Sequence, residues 1–153
     1  MDLFFLRHGE ADWPDWNKSD DERPLTKRGK KEMRAVAALL DRIGASPSLI
    51  LTSPLPRASQ TAEIAAAKLK IKCCEDKLLA PGFGRPELKR LLEKYPEESL
   101  MFVGHEPDFT DVISALTGAS LKLSKAGVAK IDIERSLEDG RLFWLFPPRL
   151  AKK

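Results

Sequence analysis

The chain contains two histidines, and both follow short apolar runs. His8 comes after Leu3–Leu6, and His105 comes after Leu100–Val103. Such runs are typical of strands buried on both faces of a parallel sheet, whose ligands bind beyond the carboxyl ends of the strands. One histidine at such a point is most simply a cap, but two at equivalent positions favour a shared pocket.

Two arginines accompany the histidines at the predicted strand ends. Arg7 precedes His8, and Arg57 follows a third apolar run, Leu49–Leu51. A guanidinium group matches the oxygens of phosphate, carboxylate or sulfate, and the helices predicted after Arg57 and Pro107 add backbone N–H donors at their N-termini. The predicted pocket therefore binds a small dianion.

The charge state of a histidine in this pocket decides its chemistry. An imidazole among fixed positive charges should have a pKa below its ordinary value of about 6.5. It would then be neutral and nucleophilic near neutral pH, so the sequence predicts phosphoryl transfer through a phosphohistidine.

Strands and helices alternate along the sequence. Apolar residues recur at helical spacing in four segments, and Thr26 is a suitable N-cap for the first of them. These segments are 33–43, 57–69, 88–95 and 109–116. The alternation predicts an α/β fold, a three-layer sandwich with a mostly parallel central sheet and helices on both faces.

The last third of the chain predicts an addition to this sheet. Val128–Ile133 and Arg141–Phe146 resemble strands, and they flank a turn that contains Asp139 and Gly140. This pattern is typical of a hairpin, which would place an antiparallel strand at one edge. A further short strand is predicted at Cys73.

Length and composition limit the organisation and the partners. We expect residues 1–148 to form a single catalytic domain, because 153 residues suffice for one core, and 149–153 to be a solvated, frayed basic tail. The excess of 26 Lys plus Arg over 23 Asp plus Glu is too slight to indicate a nucleic-acid partner. No apolar run near the N-terminus is as long as a signal peptide's or a membrane span, so a cytoplasmic protein without a membrane partner is expected.

A metal ion, a cofactor and an internal disulfide are not expected. Cys73 and Cys74 are the only cysteines and are adjacent, with Cα atoms about 3.8 Å apart, below the usual disulfide range. Two histidines and no other cysteine give no zinc-ligand spacing. The expected chemistry therefore depends on protein side chains alone.

Four segments of the sequence carry a family resemblance. They are LFFLRHGEAD at the N-terminus, RPLTKRG at residues 23–29, SPLPRASQTAE at 53–63 and VGHEP at 103–107. In this order they resemble the histidine phosphatase superfamily, also called phosphoglycerate-mutase-like. Because the chain is short, it is most similar to the SixA-type phosphohistidine phosphatase branch. The resemblance covers roughly the first three-quarters of the chain.

The resemblance implies roles for the residues at the strand ends. His8, within the RHG motif, would be the phosphorylated nucleophile. Arg7, Arg57 and His105 would hold the phosphoryl oxygens, and no metal is implied.

Two further residues are candidates for phosphate binding. Arg23 matches a position that could reach the rim of the pocket in this branch, although a solvated loop arginine is an equal alternative. Gly9 fits either a close approach of backbone to ligand or only a tight turn.

The sequence does not identify the acid that would protonate a leaving group. Glu106, Glu87 and Asp108 are candidates, but each is expected in the first turn of a helix, where a carboxylate is favourable without any catalytic role. The lack of a clear acid favours P–N substrates, because an imidazole leaves more readily than an alkoxide.

Three hypotheses for function follow. The leading one is a phosphatase that removes the phosphoryl group from phosphohistidine on a protein, such as a phosphotransfer domain. The second is a phosphomonoesterase or mutase of a small phosphorylated metabolite. The third is a non-catalytic phosphate-binding module, which would not need a nucleophile. The sequence makes no prediction of the oligomeric state.

Overall fold

A six-stranded sheet between two layers of helices organises the chain. The computed structural model describes residues 1–151. The strands are β1 (Asp2–Arg7), β2 (Leu49–Thr52), β3 (Cys73–Glu75), β4 (Ser99–Gly104), β5 (Val128–Asp132) and β6 (Arg141–Phe146). The helices are α1 (Lys27–Arg42), α2 (Pro56–Leu69), α3 (Arg85–Lys94) and α4 (Asp108–Thr117). The predicted alternation of strands and helices is confirmed.

The strand order is β3-β2-β4-β1-β5-β6. The first four strands in this order pair in parallel, whereas β5 pairs antiparallel with both β1 and β6. The predicted mostly parallel sheet with a C-terminal hairpin is therefore confirmed. The hairpin connection is longer than a tight turn, because it spans residues 133–140, and Leu137 and Asp139 in it adopt left-handed backbone conformations.

Alternation of side chains along the strands produces two hydrophobic cores. In β1, Leu3 and Phe5 pack with residues of α3 and α4, while Phe4 and Leu6 pack with residues of α1 and α2. All four side chains are buried. Because successive residues of a strand point to opposite faces, an uninterrupted apolar run is what a strand between two helical layers requires.

The register of the central strands brings the predicted site residues together. Arg7 at the end of β1 lies opposite Gly104 at the end of β4 in a parallel pair. The next residues, His8 and His105, therefore leave the same edge of the sheet side by side. Thr52 lies opposite Val103, so the connection from β2 to α2 emerges at that edge too.

The C-terminal tail differs from the prediction. Residues Pro148–Ala151 form a short 3-10 helix, and Ala151 is buried in the core on the α1 side of the sheet. Ala151, a small apolar residue, thus anchors a segment whose basic composition suggested fraying. Lys152 and Lys153 lie outside the described residues.

The two cysteines lie in β3, where successive side chains alternate between the faces of the sheet. Cys73 and Cys74 are both free thiols, and they pack on opposite faces of the sheet. Burial raises the pKa of Cys73 to about 11, which keeps it protonated. No helix within residues 1–151 has the length and apolar character needed to cross a membrane.

The first turn of α1 packs directly on the segment that follows His8. Thr26 caps this helix by accepting a hydrogen bond from the backbone N–H of Gly29 at 3.0 Å, as predicted for an N-cap. A Cβ atom on Gly29 would lie 2.3 Å from the carbonyl oxygen of Glu10. The absence of a side chain at this position therefore sets how close α1 approaches the site.

We predict that Gly29→Ala destabilises the protein although alanine is the better helix former. The new Cβ must displace backbone, so we expect a loss of about 1–3 kcal/mol in the free energy of unfolding, as for other overpacked sites. Urea unfolding followed by circular dichroism measures it. Lys30→Ala, at an exposed position of the same turn, is the control. A stability of Gly29→Ala equal to that of Lys30→Ala would contradict the close packing.

Candidate active site

A cavity of about 360 Å³ lies at the carboxyl edge of the parallel strands. It contains both histidines of the chain together with cationic and acidic side chains. Its lining residues are Arg7, His8, Asp12, Asp20, Asp21, Arg23, Arg57, Pro81, His105, Glu106 and Lys125. The structure thus brings together the four residues that the sequence placed at strand ends, and it adds a ring of charged residues around them.

His8 is held in one tautomer by the backbone. Its Nδ1 lies 2.7 Å from the carbonyl oxygen of Gly9, and because a carbonyl can only accept, Nδ1 carries the proton. Nε2 has no hydrogen-bond partner within residues 1–151 and keeps its lone pair. The ring is 9% exposed, so it is reached only through the cavity.

The pKa of His8 is lowered to about 3. Burial of the ring is the largest cause, followed by the neighbouring His105, Arg57 and Arg7, and the bond to Gly9 opposes the shift. The predicted direction is confirmed, but desolvation contributes more than the arginines. At neutral pH, His8 is an uncharged imidazole with an available lone pair.

His105 lies beside His8, with ring centroids 5.3 Å apart. Its Nε2 is 2.8 Å from Ser53 Oγ, and Ser53 Oγ also accepts the backbone N–H of Leu55 at 3.3 Å. Its Nδ1 is buried and has no partner in the described chain. Burial, and then Arg57, lower the pKa of His105 to about 4.

The unpaired nitrogen of His105 matters because buried polar atoms normally have partners. If Ser53 donates its hydroxyl proton to Nε2, Nδ1 carries the proton and becomes a donor directed at a ligand. No pattern in the sequence marks the bond between Ser53 and His105, which was therefore not predicted.

The guanidinium groups of Arg7 and Arg57 are bound by carbonyl oxygens and not by carboxylates. Arg7 Nη1 donates to the carbonyl of Leu123 at 3.0 Å, and Arg57 Nη1 donates to the carbonyl of Asp20 at 3.2 Å. The Nε atoms of both arginines are buried without a partner among the described residues. Burial is the main reason that the pKa of Arg57 is lowered. Neither guanidinium group forms an ion pair within the described residues, and Asp20 and Asp21 act on Arg57 only at longer range. An anion in the cavity would be a direct partner for both arginines.

Thr61 connects the two segments that carry His8 and Arg57. Its hydroxyl accepts the backbone N–H of Gly9 at 3.0 Å and donates to the carbonyl of Arg57 at 2.7 Å. The backbone N–H of Gly9 is therefore already hydrogen-bonded within the protein. A Cβ atom added at Gly9 would lie 3.2 Å from Leu25 Cδ2, so the glycine allows close packing at this turn. Thr61 was not singled out in the sequence, although it lies in the QTA part of the motif.

Arg23 reaches the cavity, as one of the two interpretations of the sequence expected. Its Nη1 donates to the carbonyl of Ala11 at 2.7 Å, and its Nε lies 2.8 Å from a carboxylate oxygen of Asp20. Asp12 is 3.6 Å from the same guanidinium group. Unlike Arg7 and Arg57, Arg23 is already neutralised by carboxylates.

The loop that carries Arg23 is fastened by its own aromatic residues. The indole of Trp13 donates to the carbonyl of Pro24 at 2.8 Å, and the indole of Trp16 donates to the carbonyl of Ser19 at 2.9 Å. The two tryptophans therefore anchor this loop.

The three candidates for a general acid differ in position. Glu106 lines the cavity, but its two oxygens accept from the backbone N–H and the hydroxyl of Thr110. Glu87 caps α3 through the N–H of Gly84 at 2.8 Å, and Asp108 accepts from the N–H of Gly82 at 2.9 Å. Neither Glu87 nor Asp108 is among the residues that line the cavity.

Four charged residues of the cavity were missed in the sequence: Asp12, Asp20, Asp21 and Lys125. Asp12 and Lys125 lie in loops, and Asp20 and Asp21 lie in a single 3-10 turn. Lys125 reaches the cavity from a segment 113 positions away from its partner Asp12. Only the conformations of these loops bring them to the site.

We predict that the two histidines make folding stability fall as the pH decreases from about 6.5 to about 4. Their pKa values are lower in the folded chain than in the unfolded chain, so the unfolded state binds more protons in this range. Each histidine contributes about 1 kcal/mol per pH unit. The contribution is fully present above pH 6.5.

The measurement is urea unfolding at several pH values for the native chain and for His8→Gln. The difference in unfolding free energy between the two proteins should change with pH by the amount expected for one histidine, because the carboxylates contribute equally to both. Parallel stability curves, or an imidazole of His8 that titrates near pH 6.5 by NMR, would contradict the lowered pKa.

The chain is similar to a known protein family over most of its length. Residues 3–122 match the family model described as histidine phosphatase superfamily, branch 1. An uncharacterised protein of Picosynechococcus sp. is 41% identical over 137 residues, which cover 84% of this chain and 82% of that protein.

Solved structures share the fold. The protein histidine phosphatase SixA, in complex with tungstate, has a TM-score of 0.85 and 25% identity, covering 99% of this chain and 100% of that one. A mycobacterial glucosyl-3-phosphoglycerate phosphatase has a TM-score of 0.75 and 18% identity, covering 94% of this chain and 97% of the other. The family match spans more than half of the sequence and includes the RHG segment, so the chain belongs to the histidine phosphatase superfamily.

Proposed function

We propose that this phosphatase hydrolyses phosphohistidine on a protein substrate through a covalent phosphohistidine on His8. One observation carries the proposal. The imidazole of His8 is neutral and fixed by Gly9, and its Nε2 is unpartnered in a cavity whose two inner arginines form no ion pair within the described residues. A nucleophile and a preformed site for a dianion therefore occupy the same space.

In the first step, Nε2 of His8 attacks phosphorus in line with the leaving group. The new P–N bond forms as the bond to the leaving group breaks, and that group takes the electron pair. Arg7, Arg57 and the Nδ1–H of His105 donate to the three oxygens that carry the charge of the transition state. Neither arginine has to move into place, because backbone carbonyls already fix both.

In the second step, a water molecule attacks the phosphorus of phospho-His8. The P–N bond breaks, its electron pair returns to Nε2, and inorganic phosphate leaves. A lowered pKa makes the imidazole of His8 a better leaving group, since it is released as the neutral ring that the site favours. The same groups stabilise both transition states.

The hydrogen bonds of Glu106, the one sequence-predicted acid that lines the cavity, support the proposed nature of the substrate. Glu106 is held by Thr110 as a helix cap, so its carboxylate is not oriented as a proton donor. An imidazole leaving group needs less protonation than an alkoxide, which favours a P–N substrate. The likeness to SixA over the whole chain points the same way.

A small phosphorylated metabolite is the alternative substrate. The likeness to the glucosyl-3-phosphoglycerate phosphatase favours it, although that likeness extends only to the fold. The reaction is proposed to need no metal, because no group of three or more potential ligands lies together within residues 1–151 and the arginines would repel a cation. The experiments below are therefore run in EDTA.

We predict that the phosphoryl group can be trapped on His8. After brief reaction with a phosphohistidine phosphotransfer protein and quenching without acid, peptide mapping by mass spectrometry should place the phosphate on His8. His8→Ala should abolish both the label and turnover. His105→Ala should slow turnover and leave the site of any residual label unchanged, because its ring only donates hydrogen bonds.

The same assay discriminates between substrates. Phosphohistidine protein should exceed phosphoglycerate and sugar phosphates in kcat/KM. Label on His105, substantial turnover by His8→Ala, or a requirement for an added divalent ion would refute the mechanism. Faster hydrolysis of a metabolite, with label still on His8, would retain the mechanism and replace the substrate.

We also predict that Arg57→Ala folds normally but loses about 10²–10³ in kcat/KM, as when one preorganised donor is removed from an oxyanion hole. Arg57→Lys should recover little, because an ammonium group cannot reproduce the planar fork. Arg90→Ala, at an exposed position of α3, is the control for loss of an arginine. Near-native kcat/KM for Arg57→Ala would show that Arg57 does not hold the phosphoryl group.

A further inference from the structure

The loop before β5, residues 123–127, holds Arg7 from three directions. The N–H of Arg7 donates to the carbonyl of Gly127 at 3.1 Å, and the carbonyl of Arg7 accepts from the N–H of Ala126 at 3.1 Å. The guanidinium group donates to the carbonyl of Leu123 at 3.0 Å. This loop therefore fixes both the backbone and the side chain of Arg7.

The loop itself is tight and conformationally fixed. Ala126 has a φ of 58°, in the left-handed region that is unfavourable for a residue with a Cβ atom. Its N–H is shared between the carbonyls of Arg7 and His8, both at 3.1 Å, and the N–H of Gly127 closes the turn onto the carbonyl of Ser124 at 2.7 Å. Strain of this kind persists only where the surroundings over-determine it, and it concentrates at functional sites.

Lys125 extends from this turn into the cavity. Among the cations that line the cavity, Lys125 is the one that lies outside all four of the sequence segments that resemble the family. Its ammonium group forms an ion pair with Asp12, which also lies 3.6 Å from Arg23. Asp12 thus lies between two cations at the entrance of the cavity that is proposed to bind an anion.

The pair of Lys125 and Asp12 is exposed enough to exchange. The side chains are 37% and 56% exposed, respectively, so water and a competing anion both reach them. Partly exposed ion pairs contribute little net stability, and they are exchanged at low cost. The hydrogen bond from Lys125 is the main reason that the pKa of Asp12 is lowered, so the carboxylate that leaves is ionised.

We propose that Lys125 is a further anion-binding residue of the cavity: it releases Asp12 and donates to an outer oxygen of the incoming tetrahedral phosphoryl group. This inference extends the proposed function, but it concerns the anion and not the leaving group. A phosphoryl group held by Arg7 and Arg57 on its inner side would then have a cation on its outer side as well. Lysine suits this place, since its three donors on a flexible stem can change partner.

Binding of inorganic phosphate, measured by isothermal titration calorimetry, tests the inference without any turnover. Lys125→Met should weaken phosphate binding about tenfold, the lower end for a hydrogen bond to a charged group because the site is partly exposed. Lys125→Arg should bind within about threefold of the native chain, because it retains a cationic donor. Lys122→Met, an exposed lysine of the same connection that does not line the cavity, should leave binding unchanged.

The variant Asp12→Asn distinguishes anion binding by Lys125 from a purely structural role of the ion pair between Lys125 and Asp12. If Lys125 binds the anion, removal of its competitor should tighten phosphate binding severalfold. If the pair only latches two loops together, Asp12→Asn and Lys125→Met should both weaken binding, and that result overturns the inference. Equal losses in Lys122→Met and Lys125→Met would also overturn it, since they would indicate a general charge effect.

The outcome is independent of the natural substrate. Inorganic phosphate is the product of any phosphatase, so a failure to hydrolyse phosphohistidine would leave the effect of Lys125 on phosphate binding intact. Conversely, normal phosphate binding by Lys125→Met in an active phosphohistidine phosphatase would refute only the role of Lys125.

Discussion

Two guanidinium groups held at the edge of the sheet without a carboxylate partner are the constraint on which the rest of the site depends. Arg7 and Arg57 are anchored by the carbonyl oxygens of Leu123 and Asp20. A carbonyl satisfies an N–H donor and fixes its direction, but it leaves the net charge uncompensated. Burial lowers the pKa of His8 and so keeps its ring neutral, and a neutral ring is not repelled by the two guanidinium groups beside it.

The sequence predicts the parts of the molecule that depend on local pattern. Apolar runs such as Leu3–Leu6 specify buried strands, and a helix cap such as Thr26 specifies where α1 begins. Parallel pairing then brings His8 and His105 to one edge of the sheet, because the ends of paired strands are adjacent regardless of the conformations of the connecting loops. These inferences need only periodicity and topology.

The interactions that the sequence did not predict are those that depend on loop conformation. The bond between Thr61 and Gly9 and the bond between His105 and Ser53 each join residues 52 positions apart, and the ion pair of Lys125 with Asp12 joins residues 113 positions apart. No repeat or spacing marks them. The frayed tail was predicted from charge alone, whereas one small apolar residue at its described end is buried in the core.

The cations of the cavity fall into two classes, and the difference links stability to affinity. Arg23 and Lys125 are paired with carboxylates at the mouth, so they contribute no uncompensated charge to the folded protein. Arg7 and Arg57 lie deeper and form no ion pair within the described residues. Their charges therefore destabilise the folded state in the absence of a bound anion. An anion that relieves this repulsion binds the native state and not the unfolded chain, so its binding free energy adds to the stability of the fold. Because Arg7 and Arg57 have no carboxylate partner in the described part of the fold, their electrostatic attraction is directed to the phosphoryl group and contributes to its binding free energy.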